Sequence, residues 1–510
     1  MYRKTNPNQM VFDFHIPFGG KLRSDNRWVI LSQQIPWDQI ESQYASLFEE
    51  SKIGCPAKSS RIALGALIIK ERLQTTDRET VEQIRENPYL QFFLGFPGYT
   101  DKEPFHHTSM VHFRKRFDQE TLVQINEVIV LKALQNKQEQ CDDTKDDTPN
   151  DNTPPSNQGK LLVDATCTPA DITFPTDVKL LNEAREKTEE IIDCMHATLI
   201  GKQPKPRTYR KKARKDYLAL IKQKSPGYKK IRKAIRKQLG YVGRNLKTIE
   251  RMVSEGLLPY LGKRLYRLLL VSQELYRQQL WMYQNKCHRI ENRIVSLYQP
   301  HVRPIVRGKA HAPVEFGAKV SISLVEGFSF VDVLSWDAYN ESGDLQGQIE
   351  SYHGRYGFYP ESVHADKIYR TRDNRRYCKE RGIRFSGPPL GRPKQVTESN
   401  KEELQAIKRQ QRQDEIDRIP VEGKFGQGKR RFTLARIMAK LAETSEAVIM
   451  VSFIVMNLEK ILSSILLCLL GAWHKACHLL RTVIWSCDKE LGRFFKTVPC
   501  HVFCEGYCLK

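Results

Sequence analysis

The sequence predicts a multidomain α/β protein: an all-helical N-terminal region, then a mixed strand-and-helix core split by a large basic helical insertion. Three observations carry that expectation. Apolar residues recur at helical spacing through residues 36–135, strand-like runs begin only after residue 160, and the stretch dividing those runs is helical and crowded with Lys and Arg. A chain of 510 residues can bury a full core and hold more than one domain.

Charge narrows the partner. With 82 Lys+Arg against 59 Asp+Glu, the formal charge of +23 calls for a polyanion, and nucleic acid is the commonest large one. The first twenty residues, MYRKTNPNQMVFDFHIPFGG, lack the apolar core and small-residue cleavage site of a signal peptide, so a cytoplasmic, nucleoid-associated protein is expected. Six cysteines (55, 141, 167, 194, 287 and 378) are scattered singly, as in a reduced intracellular protein. The other six crowd between Cys468 and Cys508; Cys500, Cys504 and Cys508 offer soft ligands, but not at a regular zinc spacing.

In residues 1–135, Ile62, Ala66, Ile69 and Leu73 recur at helical spacing, and Thr76 with Glu79 reads as a capping box. A later helix places Met110, Phe113 and Phe117 on one face, with Arg114, Lys115 and Arg116 largely off it, which suits either a DNA reader of helix-turn-helix type or a helical bundle with a solvated face. Residues 136–159 are acidic and rich in Pro and Asn, too polar to offset the entropy of folding, and read as a disordered linker.

The core is expected over 160–175 and 313–458. Gly-Lys-Leu-Leu-Val-Asp164-Ala-Thr166 is a short apolar strand ending in a carboxylate. Val178, Leu181, Ala184 and Ile192 then open a helical insertion spanning 176–312. Within it, residues 202–247 carry eighteen Lys/Arg against one acid, Asp216, leaving +17 of the chain's +23. A run so one-sided repels itself unless an anion neutralises it, so Lys211, Lys212, Arg214, Lys229, Lys230, Arg232, Lys233 and Arg236 are candidate phosphate contacts.

After the insertion, Phe316–Val325, Glu326-Gly327 and Phe328–Trp336 alternate about a turn, a hairpin signature. A helix over 344–356 precedes a second strand ending in Asp366; a basic helix (372–381) and a short strand (382–385) follow, and a charged segment, 398–417, leads to Glu422 at the start of the last helix. The apolar run 447–458 reads as the buried half of that helix. Glu459-Lys460 divides it from a second apolar run, 461–470, leaving pieces shorter than the roughly 20 residues a membrane span needs, so no membrane is expected. Residues 459–510 form an apolar, Cys-rich tail without a functional reading. Asp164, Asp366 and Glu422 can meet as three hard oxygen ligands for Mg²⁺, with Mn²⁺ possible, and two such ions suit in-line phosphodiester displacement.

These residues resemble the DDE transposases of bacterial insertion sequences, most closely the fifth insertion-sequence family. The resemblance rests on Val-Asp164-Ala-Thr166, on His-Ala-Asp366-Lys-Ile-Tyr369 with Asn374-Arg375, and on Arg418-x3-Glu422-x6-Lys429, and extends loosely over most of residues 30–460. Glu415 stands where the signature shared with the fourth family has a Tyr. The resemblance implies a ribonuclease-H-like mixed sheet flanked by helices, catalytic metals on Asp164, Asp366 and Glu422, and phosphate contacts from Arg418 and Lys429. It implies a transposase that cuts element ends and joins the 3′-OH to target DNA, acting at least as a homodimer. A nuclease that cuts without joining and a DNA-binding protein that has lost its chemistry are the competing readings.

Overall fold

The computed structural model describes residues 14–16, 20–48, 56–142, 157–201, 203–306, 314–388, 391, 397 and 400–490. Cys500, Cys504 and Cys508 lie outside them, as do residues 143–156 of the expected linker.

The N-terminal region is helical: α1 (Arg27–Gln34), α2 (Trp37–Ser46), α3 (Ser60–Leu73), α4 (Asp77–Glu86), α5 (Pro88–Phe93), α6 (Ser109–Arg116) and α7 (Gln119–Asp142). Local chemistry sets the starts, since Thr76 Oγ1 accepts from the Glu79 N–H at 3.2 Å to cap α4, and Ser59 caps α3. Trp28 and Trp37 pack edge-on against Phe93 at the centre of this region. Of the cations on α6, only Lys115 faces solvent; Arg114 is buried with Asp77 (3.0 Å) and Arg116 donates to the Tyr44 hydroxyl (3.2 Å). Helix α7 continues to Asp142, into the stretch expected as linker.

The sheet begins at β1 (Lys160–Pro169). Its chain partners are, in order, α8 (Asp177–His196), α9 (Arg210–Ile221), α10 (Tyr228–Ser254), α11 (Lys263–Gln284), β2 (Arg303–Val306), β3 (Val314–Val325), β4 (Phe328–Ser335), α12 (Leu345–Tyr356), β5 (Ser362–Ala365), α13 (Arg372–Glu380) and β6 (Arg384–Phe385). Among the described residues the sheet has six strands, ordered β2-β3-β1-β5-β6 with β4 also on β3. β3 pairs antiparallel with β1, β2 and β4, whereas β1, β5 and β6 run parallel. This open mixed sheet, flanked by helices, is consistent with the ribonuclease-H-like expectation. Glu326 and Gly327 both take positive φ (49° and 80°), the backbone a two-residue hairpin turn requires.

The insertion has a core of its own. Leu181, Ala184, Ile191 and Ile192 of α8 pack on Leu239, Val242 and Ile249 of α10 and on Leu268, Leu269 and Leu275 of α11. At its centre Arg185, 2% exposed, is neutralised by Glu189 at 2.8 Å. The helices of the insertion expected over 176–312 stop at Gln284; residues 285–302 fold as turns and loop.

Two helices close the described chain, α14 (Lys401–Arg431) and α15 (Ala442–Glu490). Here the structure corrects the sequence reading twice. Glu422 and the apolar run 447–458 lie on different helices, because Phe432 turns extended (φ −133°, ψ 171°) and Ile437 bridges Ala170 beyond β1. And α15 is continuous through Glu459-Lys460, so the two apolar runs are not separate pieces. By length and composition alone, Ala442–Leu467 could cross a membrane.

Contacts divide the chain into two compact units, Met1–Asn457 and Leu458–Lys510. The N-terminal helices and the sheet therefore belong to one unit. Asn126 of α7, Ser329 of β4 and Asn457 of α15 are fully buried and share one hydrogen-bond cluster, with Asn126 Nδ2 on the Ser329 carbonyl at 3.0 Å and Asn457 Nδ2 on Asn126 Oδ1 at 2.9 Å. Glu71 of α3 likewise accepts from Thr433 Oγ1 (2.8 Å) and Ser452 Oγ (2.7 Å).

Candidate active site

Each acid arrives by a different local route. Asp164 sits in the middle of β1, not at its end, because β3 pairs along the strand as far as Gly317 and carries it on to Pro169. Its neighbour Val163 pairs with Ala365, the last residue of β5, so Asp164 stands level with Asp366. Asp366 follows β5 directly and caps the 3₁₀ turn Lys367–Tyr369, its Oδ1 accepting from the Lys367 N–H at 2.7 Å.

Glu422 depends on how α14 is laid across the parallel edge. Asp414 accepts from Arg384 of β6 at 2.8 and 3.0 Å and from the Gly387 N–H at 3.3 Å; burial pushes its carboxyl up, but hydrogen bonds from Gln410, Arg384 and Gly387 hold it below the usual range. Asp417 pairs with Lys160 at the head of β1 (2.6 Å), Val421 and Phe425 are buried, and Lys424 Nζ reaches the Gly327 carbonyl of the hairpin turn (3.4 Å). Pro420 lies inside the helix. The N–H it lacks and the crowding by its ring both fall on the Ile416 carbonyl, and Ile416 is exposed, so water can satisfy that carbonyl.

With α14 so placed, Arg418 lies between two of the acids. Its Nη1 is 3.0 Å from Asp366 Oδ1 and its Nη2 2.8 Å from Glu422 Oε1. Asp164 is within its field. Burial pushes the Asp164 carboxyl up to about 6; the Ala165 N–H and the Arg418 guanidinium pull it down, while Asp366 and Glu341 push it further up. The three sequence-predicted acids are thus brought to one place, around one guanidinium.

Glu341 is a neighbour that sequence reasoning missed. It comes from a 3₁₀ turn, Glu341–Gly343, after β4, and is ion-paired to Lys319 of β3. Nothing in the polar segment Asp337–Asp344 marks one acid above the others, so no sequence signal could have found it. Lys429 falls in the last turn of α14, half-buried, on the same side as Arg418 and Glu422, since offsets of four and eleven residues return to one face of a helix.

The donors suit a hard divalent ion in kind: three carboxylates, with no thiol or imidazole among them. They are not spaced for one here. Among the described residues no group of three or more His, Cys, Asp or Glu could hold a metal ion as placed, and between Asp366 and Glu422 the cation's position is taken by Arg418.

The basic insertion residues sort into two groups. Lys211, Lys212 and Arg214 on α9 and Lys229, Lys230, Lys233 and Arg236 on α10 are exposed. Arg232 is not a free surface cation: it is half-buried, lies 4.2 Å over the Tyr283 ring and donates to the Tyr283 carbonyl at 3.1 Å. Asp216, the lone acid of the segment, is neutralised by Lys237 at 2.7 Å.

Two family models match the chain. One, described as "Transposase DDE domain", covers residues 363–459 and so takes in Asp366, Arg418, Glu422 and Lys429 but not Asp164. The other, described as "Transposase domain (DUF772)", covers residues 17–116, the first six helices. The chain is also similar to the Rhizobium meliloti "Uncharacterized protein ORF8 in nfe locus", 29% identical over 156 residues, which are 31% of this chain and 68% of the relative. No solved structure matches it. Together these likenesses are consistent with an insertion-sequence DDE transposase, whose substrate is DNA.

Proposed function

We propose that this chain is the transposase of an insertion sequence, cutting the ends of its element in a metal-dependent reaction and joining the freed 3′-OH to target DNA. The observation that carries the reading is the meeting of Asp164, Asp366 and Glu422 around Arg418 at the parallel edge of the sheet. Asp164, Asp366 and Glu422 would hold Mg²⁺ or Mn²⁺, which supplies an activated water or hydroxyl nucleophile and stabilises the leaving oxygen.

The protein's own residues do the rest. Half-buried Asp164 stays costly to ionise even in the field of Arg418, so a further cation in the site is favoured. Arg418 neutralises Asp366 and Glu422 in the DNA-free protein and, with those acids holding a divalent ion instead, would be free to offset charge on a scissile phosphate. Lys429, on the same face of α14, contacts the backbone beyond. The exposed cations of α9 and α10 hold flanking phosphates, which makes binding steeply salt dependent. Because two element ends must be paired, the working form is a homodimer on DNA, at the nucleoid.

The test is incubation with Mg²⁺ and a duplex carrying the element's own end, beside Asp366→Ala. A nick exposing 3′-OH that needs both metal and Asp366 supports the enzyme, and joining to a second DNA separates a transposase from a nuclease that only cuts. Salt-sensitive binding with no nick under Mg²⁺ or Mn²⁺ would leave a DNA-binding relic, the reading that the exposed Glu415 on α14 favours.

A further inference from the structure

Arg370 follows Asp366 by four residues, at the end of the 3₁₀ turn that Asp366 caps. Among the described residues its guanidinium has no hydrogen bond or ion pair, and its Nε is buried without a partner. Burial of such a group without an anion is costly, so its position needs a cause. The cause is steric. The guanidinium lies against Gly387, whose φ of +97° few side chains adopt, and a Cβ built there would stand 2.1 Å from Arg370 Cζ. Gly387 is itself pinned, its N–H donating to Asp414 of α14.

The surroundings are cationic. Arg375 donates to the Pro388 carbonyl at 3.2 Å and carries a second buried, unpartnered Nε. Burial, Arg375 and Arg418 pull the Arg370 pKa down, with Asp366 and Asp414 pulling the other way, while Asp366 itself is engaged by Arg418 and Asp414 by Arg384. Arg370 and Arg375 thus stand beside two acids that are each already paired, and among the described residues no carboxylate pairs with either arginine.

We propose that Arg370, seated on Gly387 and flanked by Arg375, is a phosphate-binding position that takes a single backbone phosphodiester of the DNA strand entering the site. This rests on the transposase reading above and adds the residue that fixes the strand's register beside Asp366. A planar fork can bind a phosphate bidentately, which a lysine cannot, so an Arg seated on Gly387 at this place has a geometric purpose.

The experiment measures DNA affinity of the full chain by fluorescence anisotropy in EDTA, so that metal chemistry plays no part. The probe is a duplex carrying the element's end, and a set of the same duplex with one methylphosphonate stepped across the cleavage position. Arg370→Gln and Gly387→Ala are each expected to weaken binding about tenfold, as for a lost charge-assisted contact, and to lower the log–log salt slope by about one. Arg370→Lys should recover part of the affinity, and thermal melting of each variant checks its folding. One methylphosphonate position should cost wild type a similar amount and cost Arg370→Gln nothing further. Arg370→Gln that binds as wild type does, or a loss spread evenly over every neutralised phosphate, overturns the proposal. Wild type that binds no DNA at all sinks the transposase reading instead, so the two failures are distinct.

Discussion

Single side chains decide the electrostatics of the acid site, and they were unequally legible. Asp366 could be read because a short strand, Ser362–Ala365, stops at it; Asp164 was identified but misplaced, since a strand's end cannot be seen when its far half pairs with a neighbour 150 residues on (Thr168 with Ala318). The role of Arg418 as a clamp on two acids, 3.0 and 2.8 Å away, was invisible, because it depends on where α14 lies and not on its spacing from Glu422 alone. Two predictions belong to this scale. The Asp164 carboxyl, raised to about 6 from its ordinary 3.8, contributes stability below pH 4 that is lost as pH rises through 6. Asp164→Asn should therefore stabilise the metal-free protein by about 2 kcal/mol at pH 7.5 and by little at pH 4, in denaturant melts with EDTA present. Arg418→Ala should bind Mn²⁺ without DNA about tenfold more tightly by calorimetry, because a competing cation worth about 1.4 kcal/mol has gone. Unchanged Mn²⁺ affinity would show that Arg418 does not contest the ion's place.

Among elements, α14 matters most, and the sequence showed its charge but not its extent. A proline and a run of basic residues look like an interruption, yet the helix passes through Pro420 because tertiary anchors on both sides hold it: Asp414 and Asp417 before, Val421 and Phe425 after. The joining of Glu422 to the apolar run 447–458 failed for a related reason, as the break at Phe432 is set by Ile437 reaching Ala170 and carries no glycine or proline to announce it. Asp414→Ala should cost about 2 kcal/mol, since it strands Arg384 and the Gly387 N–H, and should reduce cleavage more than DNA binding because Glu422 loses its support. Chemical melts beside nicking and binding assays check both parts; equal losses in binding and cleavage would mean the helix is not the positioning device.

At the scale of the molecule, the sequence separated a helical beginning from a mixed core, but the structure makes both part of one unit, Met1–Asn457. Periodicity reveals which face of a helix is buried, not what covers it, so neither Asn126 nor Glu71 signalled a long-range partner. A fragment beginning at residue 157 should accordingly be insoluble or lack a cooperative melt, since it leaves Asn457, Ser329 and Thr433 without buried partners; a sharp transition in that fragment would overturn the single-unit view. Changing Lys229, Lys230, Lys233 and Arg236 together to Gln should weaken binding to every DNA sequence alike and flatten the salt slope by up to about four, with the fold intact by circular dichroism. The cluster of Asn126, Ser329 and Asn457 also sets a clock. Asn126 and Asn457 are 331 residues apart, so a ribosome adding roughly 5–20 residues per second works for about a quarter of a minute to a minute between them before the hairpin can be locked. Until then the nascent chain carries the hairpin without the two asparagines that lock it.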